Sequence, residues 1–130
     1  MFNPENLLAL STSGGRRNPI TVVVISSDLR PVYFREEVAL NSDDFEKMKV
    51  DLCNIFDHKL VVGEDINSHF SRLGIPSNIC EVLDSRSLPI PMGYQPTPLR
   101  YRNPMENAIR AMQLFTNYAQ MRQGGLMHAK

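Results

Sequence analysis

The chain has 130 residues, 42% of them hydrophobic and 22% charged, with 14 basic residues against 14 acidic. This is one domain's worth of ordinary globular composition, which excludes whole-chain disorder. A formal charge of zero also argues against a dedicated nucleic-acid binder, whose domain usually has a pI above about 9.

The charge is unevenly placed. Residues 36–65 hold nine acids against three lysines, a net −6. Residues 85–130 hold five arginines and one lysine against Glu106, a net +5. Such a split favours docking of the tail on its own body or head-to-tail contact between copies. Two cysteines, Cys53 and Cys80, form no disulfide framework. The start, Met-Phe-Asn-Pro-Glu-Asn, has neither the basic residues nor the apolar run of a signal peptide. No stretch reaches the roughly 18 apolar residues of a bilayer span. The expectation is an intracellular, non-secreted protein in the cytoplasm or within a large particle.

Asn3 and Pro4 suit a helix start, so residues 3–10 are expected to form a short helix. Residues 11–19, with two glycines and a proline, are expected to form a loop. Ile20 to Ser26 is rich in β-branched residues and nearly continuous in apolar character, which predicts a strand buried on both faces. After a turn at 27–30, Pro31 to Val38 predicts a second strand, completing a hairpin. Val32 and Phe34 then share one face, Tyr33 and Arg35 the other.

Ser42 is a good helix cap, and Asp43 and Asp44 suit the first turn of a helix running to about Lys59. Phe45, Met48, Leu52, Ile55 and Phe56 form its apolar stripe. Leu60-Val61-Val62 predicts a short strand, and Asp65 to Leu73 a short helix stopped by Gly74. Residues 77–83 fit a helical turn or an edge strand equally. Residues 85–104 contain five of the nine prolines, which excludes helix and central strand and predicts an extended arm. Asn103, Pro104 and Glu106 start the longest helix, expected to end at Gly124-Gly125.

These elements predict an α+β fold: a small mixed sheet, hairpin plus short strand, packed on a helix. An extended Pro-rich arm and a long C-terminal amphipathic helix follow. The expected division is a compact domain over 1–84, an arm over 85–104, and a helix and tail over 105–130.

Chemistry-bearing patterns are sparse. Gly14-Gly15-Arg16-Arg17 precedes a strand, whereas a phosphate cradle needs strand, glycine loop, then helix. Cys53 and His58 lie five apart on one helix and point to different sides, so they do not make a nucleophile–base pair. His69, His128 and the two cysteines have no zinc-site spacing. The adjacent pairs Glu36-Glu37 and Glu64-Asp65 are expected to form a solvated acidic rim. Pro89, Pro91, Pro96 and Pro98 lack the spacing of an SH3 ligand. No enzyme, metal or cofactor is therefore expected.

The arm is apolar as well as Pro-rich, and the last helix is apolar over a wide face. Both features predict a non-catalytic structural subunit that binds neighbouring chains, its own or heterologous, in a viral particle or a cellular scaffold. The expected binding residues are Leu88, Ile90, Met92, Tyr94, Leu99, Arg100, Tyr101 and Arg102 of the arm, with Ile109, Met112 and Phe115 of the helix. The alternative is a small nucleic-acid-associated factor using the basic tail, since Arg100-Tyr101-Arg102 interleaves charge and aromatic.

Overall fold

The computed structural model describes residues 3–15, 17–89 and 103–128. Five strands form one mixed sheet: β1 (Leu7–Gly15), β2 (Asn18–Ser26), β3 (Pro31–Val38), β4 (Leu60–Gly63) and β5 (Glu81–Asp84). Three α-helices accompany it: α1 (Asp43–Phe56), α2 (Ile66–Leu73) and α3 (Pro104–His128). The α+β class expected from sequence stands, with five strands where the pattern gave three.

The strand order is β3-β2-β1-β4-β5. β1, β2 and β3 pair as an antiparallel meander, while β4 lies parallel to β1 and β5 parallel to β4. Parallel neighbours need crossovers, and α1 and α2 supply them on one face. Their buried residues Phe45, Met48, Leu52, Phe56, Ile66, Phe70 and Leu73 join Leu8, Leu10, Val22, Val24 and Val61 in a first core. α3 covers the other face. Its Ala108, Ala111, Met112 and Phe115 pack on Leu7, Ala9, Val23, Ile25 and Val62 in a second core.

Local signals explain most boundaries. Ser42 Oγ accepts from the Phe45 N–H at 3.1 Å, and Asn103 Oδ1 accepts from the Glu106 N–H at 2.8 Å. Gly74, at φ +68, closes α2: its N–H donates to Ser71 O, and the Ile75 N–H donates to Phe70 O.

Three local expectations are corrected and one open choice is settled. The helix expected over 3–10 is a single 3-10 turn, Pro4–Asn6, followed directly by β1. The Asn3 cap forms, yet Leu7 and Ala9 feed one core while Leu8 and Leu10 feed the other, a demand met by a strand. The expected loop over 11–19 is largely the continuation of β1 and the start of β2, paired from Ser11↔Val23 to Gly15↔Asn18. The register shift between Ser13 and Gly15 uses Gly14 at φ +87. Residues 77–83 resolve into both options in turn, a 3-10 turn over Ser77–Ile79 and then β5 at the sheet edge. Finally, α3 continues through Gly124 and Gly125 to His128.

Among the described residues no helix is long and apolar enough to cross a membrane.

Candidate functional site

β1, β4 and β5 point the same way, and so does β3, antiparallel to β2. Their carboxyl ends therefore share one end of the sheet. In open α/β sheets that end collects ligands, because helices and loops leave a crevice there. Polar side chains gather at this end in three groups.

The first lies under α2. Thr12 projects from β1 toward α2, and its Oγ1 is 2.7 Å from Nδ1 of His69. Arg72 donates through a guanidinium nitrogen to the same hydroxyl at 3.2 Å. Thr12 and His69 are both buried. Burial foremost, then the Arg72 charge, hold the His69 imidazole below its ordinary pKa. A threonine beside a neutral imidazole has the spacing of a nucleophile and its base. Here the hydroxyl is buried and already bonded, so nothing presents it to a substrate.

The second group joins β4 to β5. Arg86 grips Asp84 through two nitrogens, at 3.1 and 2.9 Å, and reaches Asp65 at 3.1 Å. The Asp65 N–H also donates to Asp84 Oδ1 at 3.2 Å. Burial works to raise the Asp84 carboxyl, but the bonds from Arg86 and Asp65 outweigh it and hold the group below its usual value. Asp65 is thus half of a clamp rather than a solvated rim.

The third group opens on the α3 face. A cleft of about 340 Å³ lies between the ends of β1, β2 and β3 and the first residues of α3. Ser13, Thr21, Phe34, Glu36, Glu37 and Asn103 are among its walls. Glu36 and Glu37 are exposed, and their carboxylates make no ion pair or hydrogen bond among the described residues. Glu37 has φ +52, which breaks the strand alternation, and both carboxylates border the cleft. Beside it, on the interface of β1 with α3, Ser11 Oγ and Asn107 Oδ1 are buried without a hydrogen-bond partner.

The residues expected to bind neighbours fall differently. Leu88, Met112 and Phe115 are buried in the second core, and Ile109 packs against it half-buried. This corrects the assignment of Leu88, Met112 and Phe115 to an outer surface: the sheet needed a second cover, and α3 supplies it. Ile90, Met92, Tyr94, Leu99, Arg100, Tyr101 and Arg102 lie outside the described residues. Sequence reasoning missed the β3 cleft, although the alternation that put Val32 and Phe34 on one face pointed to it. It missed the Thr12–His69–Arg72 cluster because residues 11–19 read as loop.

Cys80 and Cys53 sit half-buried against the first core. Burial foremost, then the neighbouring Cys53, pushes the Cys80 thiol up to about 11, which keeps it protonated and unreactive. Among the described residues no three His, Cys, Asp or Glu side chains stand close enough to hold a metal. No family model and no curated protein matches the chain.

Proposed function

We propose that this chain is a non-catalytic binding subunit that joins other chains in a larger assembly. One observation carries the reading. β3 is an edge strand with exposed apolar side chains, Val32 46% and Phe34 43% exposed, and Leu29 38% exposed on the turn before it. Among the described residues α3 makes its main contacts with β1, β2 and β4, and only its first residues border Phe34. An eight-residue edge strand with exposed apolar side chains is a template for another chain unless something covers it.

The polar end of the sheet supports the non-catalytic part. Its histidine is buried, its Asp65 and Asp84 carboxylates are held by Arg86, and its exposed Glu36 and Glu37 border a cleft lined, among the described residues, by no histidine, cysteine or lysine. An acid–base catalyst needs a group within reach of substrate and free to exchange a proton. The proposed contact surface is β3 rather than the inner face of α3.

Light scattering on a sizing column, at low and moderate salt, tests this with absorbance at 260 and 280 nm. The expected result with the native source material is a nucleic-acid-free multimer or hetero-complex that survives salt. Val32→Thr with Phe34→Thr is expected to dissolve it while leaving the fold intact. A high 260 nm signal stripped by salt replaces this reading with nucleic-acid binding, since phosphate contacts weaken steeply with salt. Assembly unchanged in the double variant removes β3 as the contact.

A further inference from the structure

We propose that the cleft between β3 and the first turn of α3 receives an arginine or lysine side chain of an extended partner segment, added to the sheet along the free edge of β3. This rests on the binding-subunit reading and names the chemistry of the partner. Three features of the cleft converge on a cation. Glu36 and Glu37 supply two adjacent carboxylates with no partner among the described residues. Phe34 presents a half-exposed ring to the same space, and a cation over an aromatic face is attracted to it. Ser13 adds a hydroxyl to the wall.

One effect opposes a cation there. The start of α3 places about half a positive charge at the rim. Asn103 Oδ1 caps that end by accepting the Glu106 N–H, and Glu106 itself stands in the first turn. Two full carboxylates exceed what remains, so the cleft favours positive charge.

The edge explains how the side chain arrives. Among the described residues β3 pairs with β2 on one side and with no strand on the other. A segment added there forms a backbone ladder, and its alternate side chains lie about 5 Å from Phe34 and Glu36. The side chains between them meet the opposite face, where Tyr33 bonds Asp51 and Arg35 pairs with Asp44. A second copy of β3 in this place would bring two further carboxylates, Glu36 and Glu37, to the same ladder, so a basic heterologous segment is the better occupant.

The test is a titration of the ¹⁵N-labelled full chain with the peptide acetyl-Val-Arg-Val-Arg-Val-amide and with its citrulline twin, which keeps the shape and loses the charge. The arginine peptide is expected to shift the amides of residues 32–38, Thr21 and Met105. The twin is expected to bind roughly tenfold more weakly. Glu36→Gln with Glu37→Gln, both at exposed positions, is expected to erase that difference, and Phe34→Leu to weaken the arginine peptide alone. Equal binding of the two peptides, shifts centred elsewhere, or no shifts at millimolar peptide would overturn the proposal. So would a free chain that is already dimeric with residues 32–38 protected from exchange, because a second copy then holds the edge. A complex that still assembles in the scattering experiment, with no arginine preference here, leaves the subunit reading standing and removes the basic segment alone.

Discussion

Thr12 and His69 meet across 57 positions of chain, hydroxyl to Nδ1 at 2.7 Å, and pin the end of β1 to the face of α2. The neutral ring accepts, the hydroxyl donates, and Arg72 donates in turn to the hydroxyl oxygen. Replacing Thr12 with Val removes the hydroxyl from the buried His69 ring nitrogen and leaves it only the longer 3.4 Å contact with Arg72. The expected loss is about 1–3 kcal/mol in urea denaturation at pH 7.5.

The same ring makes stability depend on pH. His69 is held below its ordinary pKa by burial and then by Arg72, against the weaker opposing pull of Glu64 and Asp65. The unfolded chain takes up a proton near pH 6.5 that the native chain resists. The unfolded state therefore binds more protons below that pH, and stability falls as pH drops through this window. Denaturation midpoints at pH 7.5 and 5.5 measure the slope. His69→Gln is expected to flatten it.

Arg86 governs the titration of Asp84. Burial raises the Asp84 carboxyl and the Arg86 side chain is the largest of the groups that together outweigh it, so Arg86→Gln is expected to move the carboxyl up from its depressed value. Carboxyl-carbon NMR across an acid titration reads the shift directly. In the wild type this group contributes stability above the unfolded carboxylate range and loses it as pH falls through the native value. An unmoved Asp84 would mean that the backbone N–H groups of residues 65 and 86 hold it without the guanidinium.

α3 is expected to be part of the folding unit. Met112 is fully buried against the sheet, and Met112→Ala is expected to cost about 2–5 kcal/mol. Deleting residues 104–130 would uncover Leu7, Ala9, Val23, Ile25 and Val62 together. The expected product is unfolded or aggregated by circular dichroism and sizing. A well-folded truncated body would show that α3 is an appendage.

Gly63 ends β4 against β1. A side-chain carbon there would stand 2.7 Å from the Leu10 carbonyl oxygen and 2.7 Å from Ile66 Cδ1. The backbone oxygen cannot yield without disturbing the β1–β4 pairing, so Gly63→Ala is expected to cost about 1–3 kcal/mol in thermal or urea melts.

The sequence by itself determined the elements whose signals are local. Ser42, Gly74 and Asn103 marked helix ends through bonds that span four residues, and the period of Phe45, Met48, Leu52 and Phe56 named the buried face of α1. The β-branched run of β2 announced burial on both sides, which the two cores confirm. Tertiary packing decided what local signals leave equal. Leu7-Leu8-Ala9-Leu10 is apolar at every position, so helix and strand satisfy it alike until two cores on opposite faces demand alternation. The wide apolar face of α3 could serve a neighbour or its own sheet, and the sheet's bare second side claimed it. Phe34 and Glu36 line a cleft because, among the described residues, α3 packs mainly on β1, β2 and β4 and only its first residues reach β3. Coverage of a face depends on segments distant in sequence, whereas caps and periodicity are settled within one or two turns of chain.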